Sequence, residues 1–233
     1  MGLKVAALFD VHGNLPALDA VLADVERERP DAVVFGGDLV WGPWPQETLE
    51  RAETLGSTAV FVRGNCERLV LEGVSPAHAW ARDRLDDAAR ERIRAWPLTQ
   101  TLEVASLKRT LFCHATPRSE EEIVTPDSPS DAWAEAFGAV DANVVVCGHT
   151  HLQFDLSRGG PRVVSPGSVG APTERSAAWW ALLGPEVELR TTEYDIEATI
   201  ASARGVVPDV TGFAQWLHQP PTYRERVAAL TPS

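Results

Sequence analysis

The chain has 233 residues, 44% hydrophobic and 23% charged, with 21 Lys and Arg against 33 Asp and Glu for a formal net charge of −12. That length buries a sizeable core as one domain or two small ones, and the acidic balance argues against bulk binding to a nucleic-acid backbone, which needs clustered basic side chains. No apolar stretch approaches the roughly 20 residues of a membrane span. The chain runs straight into a strand without a leader segment, and its three cysteines follow no pairing pattern, so a cytoplasmic protein is expected.

The apolar run 5–9 stops at Asp10-Val11-His12-Gly13-Asn14. A buried strand reads this way where its last residues emerge at the carboxyl edge of a sheet, the edge at which α/β proteins collect ligands. If the extended conformation continues, Asp10 and His12 point to the same side. Leu15, Leu18, Val21, Leu22 and Val25 then mark one face of a helix over 16–29, with Pro16 in its first turn. A strand over 32–35 delivers Gly36-Gly37-Asp38. A loop holding Trp41 and Trp44 leads to a helix over 46–55, and a strand over 58–62 ends at Gly64-Asn65-Cys66-Glu67. This alternation predicts a parallel sheet with crossover helices.

A mainly helical stretch over 68–95, interrupted near 73–76, precedes a hairpin of 98–104 with 108–113 that ends at His114. A loop over 117–129 and a helix over 131–140 follow. The strand over 143–147 ends in Gly148-His149-Thr150-His151. Turns at 158–160 and 184–186, with strands over 178–183 and 187–193, give the remainder an antiparallel character. Short helices are expected from 196, with Phe213, Trp216 and Leu217 packing back. The economical architecture is α/β: one domain over 1–233, two packed β-sheets flanked by helices, and 195–233 as a helical C-terminal extension.

The strand ends gather Asp10, His12, Asp38, Asn65, His114, His149 and His151, including four of the six histidines. One such histidine is commonplace in a core, whereas four at strand ends are not. Mixed oxygen and nitrogen donors without a confirmed thiolate disfavour a closed structural zinc site and suit five- or six-coordinate divalent transition metals. Seven ligands exceed the need of one ion. Two ions about 3.5–4 Å apart, sharing one carboxylate, form the arrangement used for displacement at phosphorus, and their charge overrides an acidic surface locally.

Asp10-x-His12, Gly37-Asp38, Gly64-Asn65-x-Glu67, His114 and Gly148-His149-x-His151 together resemble the signature of the calcineurin-like metallophosphoesterases, over about residues 3–193. Pro166-Gly167-Ser168-Val169-Gly170, followed by a strand, looks like a turn of the bacterial and archaeal phosphodiesterase-like branch. The resemblance implies a four-layer αββα sandwich. It also implies that Asp10, His12 and His151 hold one divalent ion (Mn, Fe, Ni or Zn), that Asn65, His114 and His149 hold a second, and that Asp38 bridges them. A bridging hydroxide would then attack phosphorus in line, with Asp38, Asn65 and His114 as the catalytic set.

Many members place His after the Asn, where this chain has Cys66. A positioned general acid is worth about 10²–10⁴-fold, so its replacement favours esters with better leaving groups or leaves protonation to water. The resemblance therefore points to a metal-dependent phosphoesterase of small phosphate esters, a phosphodiesterase or nucleotide-type phosphohydrolase, with Asn14, Arg118 and Trp41 as candidate substrate contacts. The alternative is a non-catalytic scaffold on the same fold, because the Cys variant also resembles the retromer scaffold subunit. The segment from Cys113 to Arg118 is one residue short of a cysteine-phosphatase loop, and no Gly-x-Gly-x-x-Gly or Walker-type lysine loop occurs.

Overall fold

The computed structural model describes residues 2–231. In its first third β1 (Val5–Leu8), α1 (Leu15–Glu28), β2 (Ala32–Phe35), α2 (Pro45–Glu53) and β3 (Ala59–Phe61) alternate. Three helices follow, α3 (Asn65–Glu72), α4 (Pro76–Arg82) and α5 (Asp87–Arg94), then the hairpin β4 (Thr99–Val104) and β5 (Lys108–Cys113) and the helix α6 (Ser130–Phe137). The chain continues through β6 (Val144–Val146), β7 (Gln153–Ser157), β8 (Arg162–Pro166), β9 (Ala178–Leu183) and β10 (Val187–Thr192), and closes with α7 (Ile196–Ala203), α8 (Thr211–His218) and α9 (Tyr223–Leu230).

Two mixed five-stranded sheets result, ordered β10-β9-β1-β2-β3 and β4-β5-β6-β8-β7. In the first sheet the parallel strands β1, β2 and β3 run out to one edge and the antiparallel β9 and β10 make the other; in the second, the parallel β5, β6 and β8 are central, with the antiparallel β4 and β7 at the two edges. The alternation of side chains along each strand decides the layers. Val5, Ala7, Ala32 and Val34 meet Phe112, Val144, Val146 and Val164 between the sheets. Ala6, Leu8, Val33 and Phe35 face outward under α1, α2 and α5, and Val145, Val163 and Phe154 face outward under α6 and α9. The order is thus helix, sheet, sheet, helix, with nine α-helices among the described residues.

Two expectations shift. The stretch over 68–95 is three helices whose first turn already begins at Asn65; Gly73, at φ 66°, closes α3, and the Ser75 hydroxyl accepts the His78 backbone N–H to start α4. The strand near 143–147 runs parallel to both neighbours, because α6 carries the chain back between β5 and β6. No helix of the described residues is long and apolar enough to cross a membrane.

Candidate metal centre

Every ligand candidate leaves the carboxyl end of a strand or the start of a helix. Asp10 and His12 follow β1, Asp38 follows β2, Asn65 opens α3, His114 follows β5, and His149 and His151 follow β6. The extended continuation expected for Asp10 and His12 does not occur. Asp10, His12, Asp38, His149 and His151 all have φ between 50° and 64°, the left-handed region that side chains other than glycine rarely adopt. Such conformations persist where their surroundings over-determine them.

For the first sheet the surroundings do so from within. The Asp10 N–H donates to Gly37 O (3.1 Å) and the His12 N–H to Asp38 O (2.8 Å), so the two loops are laced together. The fully buried Glu67 accepts from Gly64 N (2.7 Å), Asp38 N (2.8 Å) and Leu39 N (2.7 Å). The Ser168 hydroxyl donates to Asp10 O and accepts from Ala171 N, both at 2.8 Å. Two glycines are required by close approach: a Cβ on Gly37 (φ 94°) would lie 2.6 Å from His114 Nδ1, and one on Gly170 would lie 1.8 Å from Val11 O.

Three donor triads converge, with ligand atoms within 4.8 Å of one another: Asp10, His12 and His151; Asp38, His114 and His149; and His12, Asp38 and Cys66. His151 Nδ1 donates to Ala171 O and His114 Nδ1 to Gly36 O, each at 2.9 Å. A carbonyl only accepts, so both rings turn an Nε2 lone pair inward, as ligating imidazoles do. His151 Nε2 lies 3.0 Å from His12 Nε2 and 3.5 Å from Asp10 Oδ1. His114 Nε2 lies 3.0 Å from Asn65 Oδ1 and 3.3 Å from Asp38 Oδ1. His12 Nδ1 is buried without a hydrogen-bond partner. Lone pairs that face one another at these distances require a cation or a proton between them, and this oxygen–nitrogen set fits divalent metals.

The electrostatics say which proton serves when no cation does. Burial pushes His12 down to about 4, with the neighbouring His151 adding to the effect, and pushes His149 down to about 4, helped by His114. His151 is driven well below its ordinary value by burial and by Arg226. His114 goes the other way: burial opposes its charge, but Asp38 and Asp10 raise it to about 10. Burial works against the Asp38 carboxylate too, yet His114 and His12 hold it well below the usual range. Burial and the Asp38 charge push the Cys66 thiol well up, so it stays neutral. Burial does the same to Cys113, which removes the thiolate that a cysteine phosphatase needs.

The three candidate substrate contacts part company. Asn14 is committed to structure: its Oδ1 caps α1 by accepting Ala17 N (3.2 Å), and its Nδ2 donates to Gly170 O (3.1 Å) and Tyr194 Oη (3.2 Å). Arg118 is exposed and ion-paired to Glu122 and Glu135, so its charge is spent outside the ligand cluster. Trp41 does border the cluster, its ring 5.5 Å from His12 and stacked at 5.4 Å on His78, whose Nδ1 is 2.7 Å from Ser75 Oγ. Sequence reasoning missed Arg226, which reaches Thr150 O from α9 (2.8 Å). It included Glu67 in the motif without a role. The capping spacing of Gly64 and Glu67 carried that signal; a lone arginine in a terminal helix carries none.

Residues 3–186 match the calcineurin-like phosphoesterase superfamily domain. The chain is 26% identical to the uncharacterised protein MJ0912 of Methanocaldococcus jannaschii, with 83% of this chain and 88% of that protein covered. It is 25% identical to the phosphodiesterase YfcE of Escherichia coli K12, over 79% of this chain and 89% of YfcE. A metallophosphoesterase from Sphaerobacter thermophilus has a similar fold, with TM-score 0.76 at 24% identity over 94% of this chain and 99% of that one. With the match spanning most of its length, the chain belongs to the calcineurin-like phosphoesterase superfamily.

Proposed function

We propose that this protein is a metal-dependent phosphoesterase with a dinuclear centre, acting on phosphodiesters or nucleotide-type esters. The observation that carries the reading is the pair of triads, Asp10 with His12 and His151, and Asp38 with His114 and His149, set side by side. Asn65 joins the second through its contact with His114, and Asp38 lies between them, 3.3 Å from His114 and 3.9 Å from His12. Two divalent ions bound there supply Lewis-acid charge on the phosphoryl oxygens and an activated water.

The chain's own part is orientation. Gly36 O and Ala171 O fix the ligand tautomers of His114 and His151, and Cys66 N donates to Asp38 Oδ1 (2.8 Å), holding that carboxylate in place. The neutral, buried Cys66 thiol is a weak general acid, which favours esters with better leaving groups or leaves protonation to water.

Metal-stripped protein given Mn²⁺, Ni²⁺, Zn²⁺ or Mg²⁺ is expected to hydrolyse an aryl phosphodiester faster than the corresponding monoester. Asp38→Asn is expected to lower that turnover by about 10²–10³-fold, the scale of losing a principal electrostatic stabiliser. Absence of turnover with two ions bound per chain would leave the scaffold reading in its place.

A further inference from the structure

The loop over 148–151 has two ligand residues in left-handed conformation, His149 at φ 64° and His151 at φ 60°. Neither Glu67 nor Ser168 touches it. Its N–H groups are tied inside the body, Gly148 N to His114 O (2.7 Å) and His149 N to the Asp10 carboxylate (3.1 Å). Two of its carbonyls are tied from elsewhere: Arg226 donates from Nε to Thr150 O (2.8 Å) and from Nη2 to His149 O (3.3 Å). No other donor among the described residues reaches either oxygen.

Arg226 is half-buried, and no carboxylate of the described residues forms an ion pair with it; its guanidinium rests 5.3 Å over Trp216, whose ring lies 5.7 Å from His151. The helices that carry both side chains are anchored just beyond β8. Trp216 Nε1 donates to Pro172 O (2.8 Å), Ser176 Oγ to Leu217 O (2.6 Å) and Glu174 N to Pro221 O (2.9 Å). Tyr223 and Val227 of α9 pack on the outer face of the second sheet. All of α7, α8 and α9 lies beyond residue 186, where the family match ends.

We propose that the C-terminal helices form a strap in which Arg226 is a positioning residue, clamping the His149 and Thr150 carbonyls so that the loop keeps both imidazoles turned to the metals. The proposal rests on the metal-centre reading above. A planar guanidinium donating two bonds from a rigid fork to neighbouring carbonyls fixes the backbone at two points, which the rotatable ammonium of a lysine on its flexible stem does less firmly.

The test combines two measurements on full-length wild type, Arg226→Gln and Arg226→Lys. One is hydrogen exchange of amides 148–152 in metal-free protein, and the other is Mn²⁺ titration by calorimetry. Both variants are expected to exchange faster in that segment alone, with the strands of the second sheet unchanged, and to bind Mn²⁺ about 10–100-fold more weakly, as loss of an outer support to ligands does. Unchanged local exchange overturns the strap. So does tighter Mn²⁺ binding in Arg226→Gln, which would make the side chain a repelling charge, and so does full rescue by lysine. Wild-type protein that binds no Mn²⁺ overturns the metal reading, and the exchange measurement still decides the strap.

Discussion

The loops carrying Asp10 and Asp38 and the loop carrying His149 and His151 share one backbone geometry, left-handed at each ligand, yet they are held by different means. The first pair is gripped from within, by the buried Glu67 carboxylate, the Ser168 hydroxyl and the bonds between the loops themselves. The second owes its carbonyl ties to a half-buried arginine 75 or more positions later in the chain. A brace inside the core cannot be lost without damage to the fold, whereas one delivered by terminal helices can be loosened while the sheets stay intact.

Glu67→Ala should be the harshest way to probe the inner brace. It strands the buried N–H groups of Gly64, Asp38 and Leu39, and each unsatisfied buried donor costs about 1–3 kcal/mol. A loss of about 3 kcal/mol or more is expected in urea denaturation of the metal-free protein. A loss below about 1 kcal/mol would mean that water replaces the carboxylate and that the inner brace is no firmer than the outer one.

Proton release should be intermediate in size. With no metal bound, His114 is raised to about 10 and keeps its proton at neutral pH. Because its folded value exceeds the ordinary one, the stability it contributes is complete below about pH 6.5 and is lost as pH climbs through about 10. A cation must displace that proton. Binding at pH 8 should therefore release about one proton per chain, and affinity should rise up to tenfold per pH unit between pH 8 and 9. Calorimetry in buffers of different ionisation enthalpy reads the release directly; identical apparent enthalpies would place no proton on His114.

The mildest expected change is Trp216→Phe, which keeps an aromatic ring beneath Arg226 but removes the bond to Pro172 O. It should cost about 1 kcal/mol or less in the same denaturation experiment. A larger loss would show that the terminal helices are as integral as the core strands.

Much of this arrangement is written in local pattern. Apolar runs that end abruptly in Asp, His or Gly-Asp mark strands and the edge they feed, and four histidines at such ends identify the cluster. The conformation at those ends is not so written. Nothing in Asp10-Val11-His12 announces left-handed backbone, since it is imposed by Gly37, Asp38 and Ser168 from other segments. Asn14 looks like a polar residue beside a site, but next to Pro16 it is a helix cap. Arg118 looks like a free cation until the fold brings Glu135 beside it. Arg226 has no neighbour in sequence that hints at its position, because only the docking of α8 and α9 brings it to the loop.

The spread of the cluster along the chain has a temporal consequence. Its ligand positions run from Asp10 to His151, on loops from both sheets, so no early fragment contains them all. A ribosome adds about 5–20 residues each second and domains fold as units. Asp10 and His12 therefore wait several seconds for His149 and His151, and longer for Arg226. A cation that needs ligands from both loops would therefore be captured late in the protein's maturation.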